Sequence, residues 1–118
     1  MRNDLEDRLL DYGARVIRLV EALPKSVAGR RIGDQLLRSG TSVGANFEEA
    51  QAAESKDDFA HKLQIALKEA RESHYWLRLI ARSNLVPPQK VDSLLDESQQ
   101  LRAILSKSVA TVKGKSKP

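Results

Sequence analysis

No cysteine occurs anywhere in the chain, which excludes a disulfide framework, a thiolate metal site and a cysteine nucleophile. Aromatic residues are scarce: two phenylalanines, two tyrosines and a single tryptophan, so the position of each one carries weight. The prolines fall at 24, 87, 88 and 118 and leave long stretches free to stay helical. No uninterrupted apolar run could span a bilayer. The start, Met1-Arg2-Asn3-Asp4-Leu5-Glu6-Asp7-Arg8, is charged and lacks the apolar segment of a signal peptide. A cytoplasmic protein is therefore expected. No internal repeat, β-type alternation or Asn-Gly hairpin signal is present.

What is there fits one domain. A chain of 118 residues can bury a single core and is too short for two good ones. The formal net charge is +4, which invites a nucleic-acid reading. Three of those excess charges come from Lys113, Lys115 and Lys117 in a segment that also holds Gly114, Ser116 and Pro118. Its composition predicts a disordered basic tail over 113–118 after a domain over 1–112. The body is near neutral, so position and not bulk charge has to decide what it binds.

Leu5, Leu9, Tyr12, Val16, Leu19 and Leu23 recur at steps of four and three, on one side of a helix. Leu10, Ile17 and Val20 widen that stripe, as suits a helix touching more than one neighbour. Pro24 stops it, and a short link to about Gly29 suits antiparallel neighbours. A second helix carries Ile32, Leu36, Ser39, Val43, Asn46, Phe47 and Ala50 on its stripe, with Gly33, Gly40 and Gly44 along it. Each interior glycine costs about 0.5–1 kcal/mol relative to alanine, so three of them predict close approach of another backbone or a bend near Gly44. Ser55 with Asp58 has the form of a capping box ahead of a third helix from about Lys56 to Ser83. Asn84 is its expected C-terminal cap, and Pro87-Pro88 forbids continuation. Pro88 then opens a fourth helix with the stripe Val91, Leu94, Ser98, Leu101, Leu105, Ser108 and Val112. Four helices on short links predict an all-α, antiparallel up-down-up-down bundle.

The third helix has three faces. Phe59, Leu63, Ala66, Leu67, Ala70, His74, Leu77, Ile80 and Ala81 make the core face. His61, Gln64, Lys68, Arg71, Tyr75, Arg78 and Arg82 form a polar row that is basic from Lys68 onward. Lys68, Arg71, Arg78 and Arg82 are placed to follow a phosphate backbone, with Tyr75 available for base stacking. The bland alternative is a solvated face with cations near the helix C-terminus. Ile65, Glu69, Glu72, Trp76 and Leu79 lie roughly 120° from the core centre. An apolar patch there predicts a subunit interface anchored by Trp76, with Glu69 and Glu72 meeting cations of a neighbouring subunit. The alternative is that these side chains lie along the bundle's own flank.

Catalytic signals are weak. Helical bundles host di-iron sites built on Glu-x-x-His pairs, and the nearest match, Asp58-Phe59-Ala60-His61, occurs once, with Glu48, Glu49, Glu69 and Glu72 as further candidates. His61 falls on the polar face, and His74 reads as a hydrogen-bonded residue at the core edge. No Ser-His-Asp arrangement or phosphate-binding glycine loop is evident. Neither an enzyme, a cofactor nor a metal site is expected. Ser39, Ser42 and Asn46 read as packing devices that satisfy one another or nearby backbone, in preference to a polar pocket.

The residues Gln35-Leu36, Arg38-Ser39, Ser42-Val43, Ala45-Asn46-Phe47 and Glu49, then Ser55, Asp58-Phe59, Leu63, Ile65-Ala66, Glu72 and Leu77 together resemble the four helix bundle proteins, also called the ribosomal RNA intervening-sequence or S23-type family. The resemblance covers nearly the whole chain apart from the tail. It implies an up-down bundle assembling as a ring-like homopentamer without known catalytic activity. A similar fold and assembly belongs to the accessory variability determinant proteins of diversity-generating retroelements, which bind nucleic acid and a reverse transcriptase; RNA or DNA and a reverse transcriptase or other protein are thus the implied partners. Family members often have proline where this chain has Gly44 and glycine where it has Ala50, so the second helix is expected to run further here. The segment Ala66-Leu67-Lys68-Glu69-Ala70-Arg71-Glu72 also departs from the small-residue pattern common in the family. The combined expectation is a non-enzymatic homo-oligomeric binding or scaffold protein with nucleic acid as its ligand, the competing class being a purely structural protein-interaction module.

Overall fold

The computed structural model describes residues 4–116, with side chains through 114. Four helices follow one another, α1 (Asp4–Ala22), α2 (Val27–Gln51), α3 (Lys56–Ser83) and α4 (Asp92–Ser116), with a short 3-10 turn over Pro88–Lys90. No strand occurs among the described residues. The body measures 50 × 25 × 22 Å, a rod about a third longer than one 25-residue helix at about 1.5 Å per residue.

The stripe on α1 becomes its buried side: Leu9, Tyr12, Val16 and Leu19 within the helix and Leu23 just after it. Asp4, Glu6 and Asp7 occupy the first turn, where acidic groups favour the helix dipole. The link to α2 is tighter than expected. Ser26 caps α2 by accepting a hydrogen bond from the Gly29 N–H at 3.1 Å. A Cβ on Gly29 would stand 1.9 Å from the Pro24 carbonyl oxygen, so only glycine fits this corner.

α2 runs unbroken through Gly33, Gly40 and Gly44. Of the two explanations for its glycines, close approach of another backbone holds at Gly44, whereas at Gly40 and Gly33 the close neighbours are side chains. A Cβ on Gly40 would lie 2.8 Å from a Val16 methyl, one on Gly44 3.5 Å from the Leu9 backbone, and one on Gly33 3.3 Å from Leu23. Along this seam numbering rises on α1 as it falls on α2.

α3 has the bounds its sequence predicts. The Ser55 hydroxyl accepts from the Asp58 N–H at 3.0 Å, and the Asp58 carboxylate reaches back to accept from the Glu54 N–H at 3.2 Å. Asn84 adopts φ 56°, ψ 38°, the left-handed conformation of a C-terminal cap. One expectation fails here: Pro88 does not open α4. It begins the separate 3-10 turn, and α4 starts only after Val91. At the far end α4 runs as helix to Ser116, past the expected boundary at 112; Lys117 and Pro118 of the predicted tail lie outside the described residues. Leu36, Leu63, Leu77, Ile80, Leu101 and Leu105 complete a single core, to which Val109, off the predicted stripe, also contributes.

Candidate functional surfaces

The basic row of α3 stands on the outside of the bundle. Lys68, Arg71, Tyr75, Arg78 and Arg82 are all exposed, and Tyr75 keeps 51% of its surface. Its ring meets Trp76 edge-on, with centroids 5.0 Å apart. Among the described residues, Arg71, Arg78 and Arg82 make no salt bridge. α4 adds cations beside them that inspection of α3 alone could not place. A groove of about 470 Å³ between α3 and α4 is lined by Gln64, Lys68 and Arg71 on one side and Ser106, Ala110 and Lys113 on the other. Arg102 stands close enough to His74, together with Arg78, for both charges to act on its ring.

The predicted subunit face is half-buried along its whole length: Ile65, Glu69, Glu72, Trp76 and Leu79. Within the chain, a cation of α2 meets its acids. Arg38 of α2 donates from Nη1 to Glu69 at 3.1 Å and from Nη2 to Glu72. Trp76 Nε1–H donates to the same Glu72 carboxylate at 3.0 Å. The Arg38 guanidinium, followed by the indole N–H, holds the Glu72 carboxyl below its ordinary range. A helical wheel of α3 cannot show this, because Arg38 lies on another helix 31 residues away from Glu69.

Ser39, Ser42 and Asn46 bond to their own helix and not to one another's side chains. The Ser39 and Ser42 hydroxyls donate to the Gln35 and Arg38 carbonyls at 2.8 and 2.6 Å, and the Asn46 amide donates to the Ser42 carbonyl at 2.8 Å. The buried Ser39 thereby carries no unpaired polar atom into the core.

The polar centre of the bundle lies elsewhere. Ser73, fully buried on α3, donates to the Ala70 carbonyl at 3.1 Å, which leaves the Tyr12 hydroxyl, 2.8 Å away, as the donor to Ser73. Next to it, His74 Nδ1 lies 3.2 Å from the Ser98 hydroxyl of α4. Burial first, then the charges of Arg102 and Arg78, push the His74 pKa below the ordinary 6.5. Burial likewise raises the Tyr12 phenol. Sequence reading placed His74 and Ser98 correctly but passed over Ser73, although 66, 70, 73, 77 and 80 form one helical stripe.

His61 is exposed, and Asp58, its partner in the Asp-x-x-His pattern, is engaged by the Glu54 N–H and by Lys62 at 3.2 Å. Among the described residues no three or more histidine or acidic side chains gather to hold a metal ion, and no helix is long and apolar enough to cross a membrane.

Comparison with known proteins follows the same lines. No curated protein matches the chain. Among solved structures, a protein of unknown function from the S23 ribosomal protein family of Bacteroides thetaiotaomicron is similar over 89% of this chain and 97% of its own, at 36% identity and a TM-score of 0.79. The model of the 23S rRNA-intervening sequence protein family matches residues 5–107, and the chain belongs to that family.

Proposed function

We propose that this protein is a cytoplasmic, non-enzymatic binding module, an antiparallel up-down-up-down bundle that assembles as a ring-like homopentamer and holds RNA or DNA against the basic side of α3. The observation that carries the reading is the exposed row Lys68, Arg71, Tyr75, Arg78 and Arg82, whose three arginines have no acidic partner among the described residues. Arg8 and Arg38, by contrast, are neutralised within the fold, by Glu97 and by Glu69 and Glu72. Cations left open in a line suit a polyanion, whose counterions they release on binding. The exposed Tyr75 ring adds a stacking surface that tolerates any base. A ring would repeat the row around its rim and raise avidity without new contacts.

Fluorescence anisotropy with a labelled single-stranded RNA tests the ligand. Binding should weaken steeply with salt. Replacing both Arg71 and Arg78 by glutamate should weaken it by about tenfold or more and lower the salt slope by about two. Salt-insensitive binding, or none, favours the purely structural interaction module. Light scattering on the wild type and on Trp76→Ala tests the assembly, and a monomeric wild type ends the pentamer reading.

A further inference from the structure

The basic row of α3 has a counterpart across the α3–α4 seam. No aspartate or glutamate occurs from Ser73 to Val91 or after Glu97, so the later turns of α3 and α4 beyond its first turns carry cationic side chains and no acidic ones. On α4, Arg102, Ser106, Ala110 and Lys113 follow at steps of four, four and three, which is one helical stripe. Ser106, Ala110 and Lys113 line the groove of about 470 Å³ opposite Gln64, Lys68 and Arg71. Arg102 continues that bank toward Arg78: the charges of both act on His74, whose ring meets Ser98 of α4 across the seam. The Arg102 guanidinium donates to Gln99 at 3.4 Å and makes no salt bridge among the described residues. Lys68 is the weaker contributor on α3, since its charge also acts on Glu72 one turn away.

Granted the nucleic-acid reading of α3, on which this rests, we infer that the α3–α4 seam takes a single strand, with its phosphates between Arg71 and Arg78 on α3 and Arg102 on α4 and one of its bases stacked on Tyr75. Two banks of cations with a cleft between them suit a backbone that runs along the seam, where a single row would only touch it from one side.

Tyr75 decides between one strand and two. It stands midway between Arg71 and Arg78, which lie seven residues or about 10 Å apart along the helix. Its ring is half exposed, and the half-buried Trp76 meets it edge-on, a contact that steadies the ring. In a duplex the faces of the bases are covered by their neighbours, and the major groove of an A-form helix is too deep and narrow to enter. A duplex would therefore bring only sugar and phosphate to the phenol. A single strand can splay a base onto it while the flanking phosphates reach the arginines. An acidic peptide would meet the same cations but has no planar face to offer Tyr75.

The test is fluorescence anisotropy on the full chain with a labelled oligonucleotide of about 12 residues, as single-stranded RNA, as single-stranded DNA and as the duplex of each. Whichever single strand binds more tightly, its duplex should bind at least about tenfold less tightly at the same salt. Tyr75→Ala should weaken the single strand by about fivefold or more and leave the salt slope unchanged, and Tyr75→Phe should restore binding. Arg102→Gln should weaken it by about threefold or more and lower the salt slope by about one, whereas Arg18→Gln, the same loss of charge at an exposed site on α1, should do neither. An unchanged circular dichroism melt shows that each variant keeps the fold. Binding that falls on Arg71→Glu with Arg78→Glu but does not distinguish strand from duplex, or that ignores Tyr75→Ala and Arg102→Gln, keeps the α3 reading and overturns the seam. Polyglutamate that displaces the strand as well as unlabelled oligonucleotide of equal charge also overturns it. No binding of any of the four probes ends both.

Discussion

The α1–α2 seam and the α3–α4 seam close the same bundle by different means. At the first, Gly33, Gly40 and Gly44 let Leu23, Val16 and Leu9 press directly against the α2 backbone, and the outer surface is apolar and acidic. At the second, side chains fill the gap, a histidine and a serine meet inside it at 3.2 Å, and the outer surface is basic. What a seam is made of therefore sets what its outside offers. Small residues leave a low floor, whereas long cations, which bury their stems and keep their heads in water, raise a charged wall.

The largest expected effect tests the close seam. Gly40→Leu places a Cβ 2.8 Å from a Val16 methyl, and Val16 is fully buried on a stiff β-branched side chain that cannot swing aside. We expect a loss of about 3 kcal/mol in urea unfolding, at the upper end of overpacking. Gly44→Ala is the contrasting change. Its Cβ would make ordinary contacts at 3.4–3.5 Å with Leu9, so the gain in helix propensity should leave stability unchanged or raised by about 0.5 kcal/mol. Equal losses at both positions would mean that the seam is uniformly tight, and equal tolerance that it is plastic.

The polar seam is probed by pH. The folded-state pKa of His74 lies below its unfolded value, so under acid the unfolded chain takes up a proton that the folded chain refuses. Its contribution to stability is therefore complete above about pH 6.5 and is lost as pH falls from there toward the depressed folded pKa. His74→Gln, which keeps a hydrogen-bonding group toward Ser98, should flatten the dependence of Tm on pH between about 6.5 and 5 relative to the wild type. An unchanged slope would show that His74 is protonated in place, its charge tolerated beside Arg78 and Arg102.

Much of the first seam was legible in the sequence. Glycines on a helical stripe announce close approach, and the bounds of α3 follow from Ser55, Asp58 and Asn84, whose capping acts over three or four residues. What escaped were pairings between helices. That Tyr12 finds Ser73, or Arg38 finds Glu69 and Glu72, depends on helix rotation and register, which no single helical wheel contains. The same limit hid the exposure of Leu10 and Ile17: the width of the α1 stripe was readable, but not that its outer edge would be left open. The corner at Pro24 to Gly29 escaped for a local reason, since Ser26 carries a capping signal without the acidic residue three places on that completes a capping box.

The smallest effect bears on the flank between the two seams. Arg38 spans Glu69 and Glu72 at the surface, its side chain 47% exposed, and a pair in water is worth little. Arg38→Ala in an isolated bundle should cost about 0.5 kcal/mol, an effect weakened further by salt. Trp76 emission should barely move, because the indole N–H still has Glu72 to donate to. If this flank is buried between subunits, the same mutation strands two carboxylates away from water, and breaking a buried pair costs about 3–5 kcal/mol. The size of the loss thus reports the environment of Arg38 in the assembled state. A loss near 0.5 kcal/mol with unchanged mass by light scattering places the flank in solvent, and a loss several times larger with a fall in mass makes it the contact through which one copy holds the next.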